Sequence, residues 1–392
     1  VFCERPTVSE ISSFRPIIDF LRHAHSDELL FTTRPAQGDH RSFIVEAAKQ
    51  RDLTVKNLGR DHIAFLDGGR AIGGMYKTVT SLVSHAALSV TNSKKLTKEI
   101  FSAAQLPVPV GRSFTPDHFD EALTYFQNRR VPVVVKPVTS RSATGITTNV
   151  KSPDEFRVAW TRAVKAATGK NGVIVEHFVT GLNIRAFVVT DRVVAAVARV
   201  PAFIVGNGQD SLGTLIEAKT ALRAEHPYLQ RLPMQVDTDC PDEQNLTYTS
   251  IPEAGAPVLL NDSVVIKQGG EPIDVTTMLS PELQELAVRA ALAIPGLTVA
   301  GIDLIAASPS STDEAVVLQA NAAANISLHH IPAYGKSVDV AGAIIEQMML
   351  SSPRPPVKER PPKGKRIPWK GGSQRVSDRI SKSFNPRPRP SY

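Results

Sequence analysis

The chain has 392 residues, 42% hydrophobic and 21% charged, which allows two or three packed domains and excludes global disorder. Its net charge of +7 is unevenly placed: residues 351–392 hold twelve Lys/Arg against two acids, a net +10, which leaves −3 for the rest. Cys3 and Cys240 are far apart and form no CxxC pair, which argues against a disulfide framework or a thiolate zinc site and fits a reducing, cytoplasmic setting.

In chain order, "RSFIVEAAKQRDL" places Phe43, Ile44, Ala47, Ala48 and Leu53 near one helical face, and "DHIAFLDGG" reads as a strand ending in a glycine turn. Residues 1–92 are therefore expected to form a small α/β domain. In "TNSKKLTKEIFSAAQLPVPVG", Ser93 caps a helix with an apolar face of Leu96, Ile100, Phe101 and Ala104, which Pro107 and Pro109 end. A β-branched strand from Val131 to Lys136 follows, then the polar turn "TSRSATG" and a helix capped by Ser152 with Pro153 at its first position. "GVIVEHFV" is a further strand, and "NIRAFVVTDRVVAAVARV" is a hairpin turning at Thr190–Arg192. The run "VVAAVARVPAFIVG" is broken by Arg199 and Pro201 and is too short to span a membrane, and no signal-peptide pattern opens the chain. Later come a helix begun by Ser280 and Pro281, the strands "LTVAGIDLIAA" and "EAVVLQAN", and a last apolar helix, "VDVAGAIIEQMM". The Pro-rich basic stretch 351–392 cannot build a core and is expected to be extended.

Three clusters carry chemistry. The loop between the two late strands centres on residue 311, so a symmetric hairpin sets Asp303 opposite Gln319, with Asn321 beside it on the same face. Three oxygen-bearing side chains there suit a hard cation; an Asp–amide hydrogen-bond cluster tying two strands suits them equally. Lys136 closes a buried strand just before a Ser/Thr-rich turn that can offer donors to phosphate, or it is a snorkelling edge lysine. Glu176 interrupts an apolar strand, where it can hold an adenine amino group with Asn183 near a ribose; a surface Glu on a half-exposed strand is the alternative. Arg185 and Arg199 flank apolar strand residues, placed either to grip phosphate or carboxylate or to face solvent. No Walker loop occurs.

Taken in order from about Phe43 to Met349, these pieces resemble the ATP-grasp carboxylate–amine ligases, most closely the ATP-grasp region of cyanophycin synthetases. The stretches that carry the resemblance include "VVVKPVTSRSATGITTNV", "VIVEHFVTGLNIRAFVV", "VAGIDLIA" and "NAAANISLHHIPAYGKSVDVA". The resemblance implies an α/β ATP-grasp fold: an N-terminal α/β domain over 1–92, a lid over 93–180, a core over 181–350 and a tail over 351–392. It implies Lys95 and Lys136 as nucleotide lysines, with Lys98 as a substitute for the first. Ser142 and Gly145 fall in the loop over the phosphates, Glu176, Phe178 and Val179 at the adenine hinge, and Asn183 at the ribose. Arg199 falls near the transferred phosphoryl, with Arg185 and Lys136 as further catalytic candidates, and Asp303, Gln319 and Asn321 fall on the ligands of Mg²⁺, or Mn²⁺ in its place. His329 also matches, without an implied role.

The implied reaction joins amino-acid or peptide substrates through an acyl phosphate, with ATP as cosubstrate. A non-catalytic nucleotide-binding homologue and a polyanion binder acting through the tail are the alternatives. Nucleic acid and membrane are not expected partners of the body, and self-association stays open. The sequence departs from the family in four places. The phosphate loop is "SRSATG" in place of a Gly-rich loop with His and Arg. The metal motif is "QAN" then "AAN" in place of Glu-x-Asn and a Pro-Gly turn. Asn183 replaces a carboxylate, and Asn261, Asp262 and Ser263 replace an Arg-Arg-Asn stretch. Gln319 is explained by a natural weak-metal variant, a degenerate copy or an introduced change; the persistence of the other parts favours an active enzyme. A Mur-ligase-type module with a Walker loop, which cyanophycin synthetases carry, is missing from this sequence, so a ligase making one amide bond, as in secondary metabolism, fits better than a polymerising one.

Overall fold

The computed structural model describes residues 14–24, 31–32, 38–139, 144–167, 172–232, 234–236 and 244–352. Cys3, Cys240, Ser142 and the basic stretch from residue 353 onward lie outside the described residues. The chain begins with α1 (Arg15–His23) and α2 (His40–Lys49). Asp39 starts α2 by accepting from Ser42 N at 2.8 Å, while Asp39 N donates to Ser42 Oγ at 2.6 Å, so two orphan donors are satisfied reciprocally. A four-stranded antiparallel sheet follows, with β1 (Thr54–Gly59), β2 (His62–Asp67), β3 (Arg70–Tyr76) and β4 (Val79–Thr80) in spatial order. Next come α3 (His85–Thr91) and α4 (Lys94–Ala103), capped by Ser84 and Ser93, whose hydroxyls accept from Ala87 N and Leu96 N.

The second sheet is built from β5 (Gly111–Phe114), α5 (Phe119–Gln127), β6 (Val133–Pro137), β7 (Thr147–Val150), α6 (Pro153–Ala166) and β8 (Val173–His177). Its strands run antiparallel in the order β5-β8-β6-β7. It has its own core, in which Val133, Val135, Val173 and Val175 meet Phe126, Phe156 and Trp160 from the two helices. Alternation then turns Lys136, Ile174 and Glu176 to the other face. Gly111 lies opposite Glu176, and a Cβ on it would sit 2.4 Å from Glu176 Cβ, so only glycine lets β5 pair there. The helix α4 was expected to travel with this lid, yet its Phe101 is buried in the central core, and α4 packs on a strand of the central sheet.

The remaining elements are β9 (Leu182–Val189), β10 (Arg192–Val200), β11 (Phe203–Val205), α7 (Leu212–Glu225), β12 (Pro257–Leu259), β13 (Glu271–Asp274), α8 (Pro281–Leu292), β14 (Val299–Ala306), β15 (Val316–Asn321), α9 (Ser327–His330) and α10 (Val340–Ser351). Five of them form the antiparallel central sheet, ordered β13-β10-β9-β14-β15. On one face Ile184, Ala186, Val188, Ile302 and Leu304 pack with Leu283 and Ala287 of α8. On the other, Phe187, Val189 and Val299 pack with Phe65 of β2, Ile44 of α2 and Ile345 of α10. The last helix thus seals the first sheet onto the central one.

A buried ionic knot holds α7 to β13. Glu271 accepts from Lys219 Nζ at 2.8 Å and from Arg223 Nη1 at 2.7 Å, with Tyr334 Oη donating at 3.2 Å. The ammonium of Lys219 lies 5.4, 4.7 and 4.7 Å from the ring centroids of Phe31, Phe203 and Tyr334, so aromatic faces replace part of its lost hydration. No described helix is long and apolar enough to cross a membrane.

Ile345 is fully buried where three layers meet, so Ile345→Ala is expected to destabilise the fold by about 2–5 kcal/mol. Denaturant unfolding measures this, and a loss below the lower bound would show that α10 does not seal the first sheet.

Candidate active site

Two cationic centres emerge from this scaffold. The first lies between α4 and the second sheet. Glu176, buried on β8, accepts from Lys98 Nζ at 2.6 Å and from Lys136 Nζ. Burial pushes its carboxyl up, but Lys136 and Lys98 outweigh burial and hold it below the usual carboxylate range. Lys94 joins them one helical turn before Lys98: burial and Lys136 push its ammonium down to about 8 against the pull of Glu176. Three lysines thus surround one carboxylate, a charge imbalance suited to a polyphosphate.

Helical geometry explains which lysines take part. Residues four apart share a helix face, so Lys94 and Lys98 point together. Lys95, expected at the nucleotide, is rotated away; its side chain is 53% exposed and reaches Glu99 at 3.9 Å. Lys94 was missed although its i,i+4 spacing to Lys98 was available as a signal. Phe178 and Val179 follow β8 and are half-buried, and Phe178 N donates to Pro132 O at 2.9 Å. Gly145 is buried in a left-handed conformation (φ +78°), and a Cβ there would lie 2.4 Å from Ala166 Cβ.

The second centre is on the central sheet. Register places Arg185 opposite Asp303, Arg199 opposite Asn183, and Asp303 opposite Gln319, the last as the loop midpoint predicts. Period two then puts all five side chains on one face. Arg185 grips Asp303 bidentately, Nε to Oδ1 at 2.7 Å and Nη2 to Oδ2 at 2.9 Å. Arg199 Nη2 approaches Oδ1 at 3.1 Å, and its Nε donates to Asn183 Oδ1 at 2.7 Å. Gln319 Nε2 donates to Asp303 Oδ2 at 2.6 Å, and Asn321 Oδ1 accepts from Ala323 N at 2.9 Å.

Electrostatics follow from burial. Desolvation pushes Asp303 up, yet Arg185 and Arg199 hold it far below the carboxylate range. Burial draws Arg199 down to about 10 against Asp303, which leaves it charged near neutrality. His329 is fully enclosed beside Phe187, with ring centroids 5.6 Å apart, and neither ring nitrogen has a partner among the described residues. Burial, Arg185, His330 and Arg199 push it down to about 3, so it is neutral. Tyr228 also borders the centre: burial raises its hydroxyl, with Arg185 and a hydrogen bond to Asn325 opposing. Tyr228 carried no sequence signal, because it approaches Arg185 from the distant segment after α7, whereas Asn325, its hydrogen-bond partner, ends the "AAN" that departs from the family pattern.

The helix α4 links the two centres. It carries Lys94 and Lys98 and packs on β15, the strand of Gln319 and Asn321. Val317 N also donates to Pro107 O at 2.8 Å just beyond α4.

Residues 93–200 match the family described as carbamoyl-phosphate synthase L chain, ATP binding domain. The chain is 28% identical over 314 residues to a cyanophycin synthetase of Trichormus variabilis, covering 78% of this chain and 34% of that protein. It is 30% identical over 270 residues to a glutathione biosynthesis bifunctional protein of Streptococcus agalactiae, covering 66% of this chain and 34% of that one. The crystal structure of a bifunctional glutathione synthetase from Pasteurella multocida has the same fold, with a TM-score of 0.57 at 24% identity, covering 79% of this chain and 43% of that chain. The chain spans about a third of the curated relatives it matches.

Phosphates placed beside Lys94 raise its pKa above about 8, so binding of a nucleoside triphosphate takes up a proton on the alkaline side of that value. Affinity is expected to fall as pH rises through this range, and calorimetry in two buffers reads the proton uptake. Lys94→Met is expected to remove that pH dependence and to weaken binding by about tenfold or more, while Lys95→Met leaves both unchanged.

Proposed function

The chain belongs to the ATP-grasp family, and from that premise we propose that it is an ATP-dependent carboxylate–amine ligase joining amino-acid or peptide substrates by an amide bond. In the proposed reaction a substrate carboxylate attacks the γ-phosphorus of ATP, giving an acyl phosphate and ADP. The substrate amine then attacks the acyl carbon and inorganic phosphate leaves. The observation that carries this reading is the pair of cation-rich centres joined by α4: Lys94, Lys98 and Lys136 around Glu176, and Arg185 and Arg199 around Asp303.

Phosphoryl transfer of this kind needs placement and charge neutralisation more than covalent help from the protein. The lysine centre is assigned to the triphosphate, with Phe178 and Val179 at the adenine and Ser142 and Gly145 in the loop over the phosphates. The arginine centre is assigned to the transferred phosphoryl and the acyl group, with Asn183 holding Arg199 in place. The separate core of the second sheet supports its assignment as a lid that keeps water from the acyl phosphate.

Asp303, Gln319 and Asn321 do share one end of the hairpin, but both Asp303 oxygens are taken by Arg185, Arg199 and Gln319 Nε2, and Asn321 Oδ1 is taken by Ala323 N. That donor set does not fit a resident cation. The Mg²⁺ or Mn²⁺ of the reaction is therefore assigned to the triphosphate that brings it.

The test is an ADP-release screen over pairs of amino acids and short peptides, with condensed products read by mass spectrometry. ADP formation that needs both a carboxylate and an amine is the expected result, and Arg199→Gln is expected to lower it by about a hundredfold or more. A chain that binds ATP but forms no ADP with any pair would leave only a nucleotide-binding role.

A further inference from the structure

The hairpin centre has the wrong charge for a metal site. Its network holds two guanidiniums and one carboxylate, a formal +1 in a place where Arg185 and Asp303 are both buried. Divalent Mg²⁺ and Mn²⁺ take hard, preferably anionic oxygens. Here Asp303 Oδ1 accepts from Arg185 and Arg199, and Oδ2 accepts from Arg185 and Gln319. A cation would have to displace hydrogen-bonded cations from the carboxylate. Gln319 turns its donor end inward, at 2.6 Å from Oδ2, and offers a neutral carbonyl at best. Among the described residues no group of three or more His, Cys, Asp or Glu could hold a metal.

An independent feature points the same way. His329 is buried with both ring nitrogens unpartnered among the described residues, although buried polar groups are normally satisfied. It stays neutral beside Arg185 and Arg199, so it adds no further positive charge. An anion between these groups would balance the second guanidinium and give His329 a partner.

We infer that the hairpin centre excludes a resident divalent cation and takes the anionic end of a ligand, a phosphoryl or carboxylate group, directly on Arg185 and Arg199, with Gln319 setting this polarity. The identity of the anion rests on the ligase reading; the exclusion of the cation does not. A carboxylate at position 319 would bring the network to neutrality and supply the missing anionic ligand.

Mn²⁺ is titrated into the ligand-free full chain, with bound metal counted by electron paramagnetic resonance and thermal unfolding followed against Mn²⁺ or inorganic phosphate. The wild type is expected to be stabilised by phosphate and not by Mn²⁺. Gln319→Glu is expected to gain one Mn²⁺ per chain, bound at least about tenfold more tightly than by the wild type, as ligand charge sets affinity. One equivalent of Mn²⁺ held by the wild type and lost in Asp303→Asn overturns the inference, as does Gln319→Glu binding no tighter than the wild type. Should Gln319→Glu not fold, Gln319→Leu decides: unchanged Mn²⁺ binding supports the inference and reduced binding overturns it. A chain that forms ADP with its substrates yet holds Mn²⁺ at Asp303 keeps the ligase reading and loses this one. Absent ADP formation with these binding results removes the ligase reading alone.

Discussion

The bidentate pair between Arg185 and Asp303 is the constraint around which the central sheet is arranged. Both groups are buried, and breaking such a pair leaves an uncompensated charge at a cost of about 3–5 kcal/mol. The pair forms only if β9 and β14 keep their register, since a one-residue slip would send one partner to the opposite, apolar face. The same register fixes Arg199 over Asn183 and Gln319 beside Asp303. A single geometric choice therefore places every polar group of the second centre.

Charge gives the two centres a common logic. Each surrounds one buried carboxylate with more cations than it can neutralise: three lysines for Glu176, two arginines for Asp303. The carboxylate positions the cations in the folded chain, and each centre keeps a surplus of positive charge. Because α4 touches both centres, anything that shifts this helix changes the lysines and the strand of Gln319 together. A polyanion that engages both ends satisfies the surplus in one step.

The supporting structure is made of contacts far apart in sequence. The α10 helix covers the first sheet, Tyr334 reaches back to Phe31 and Lys219, and Tyr228 approaches Arg185 from the segment after α7. Such contacts leave no periodic trace in the chain. Period two and period 3.6 report which residues are buried, not what they are buried against.

The sequence by itself determined the helices capped by Ser93, Ser152 and Ser280, the hairpin that turns near Thr190 and the Asp303–Gln319 register. Each of these follows from local alternation, capping residues and loop symmetry. Tertiary structure alone decided that Lys94 stands near Lys136 and Glu176 while Lys95 is exposed beside Glu99, that α4 packs with the central core, and that Asp303 is wrapped by arginines. The physical reason is that a side chain's partner is set by which distant element packs across from it, and burial then turns that proximity into charge state.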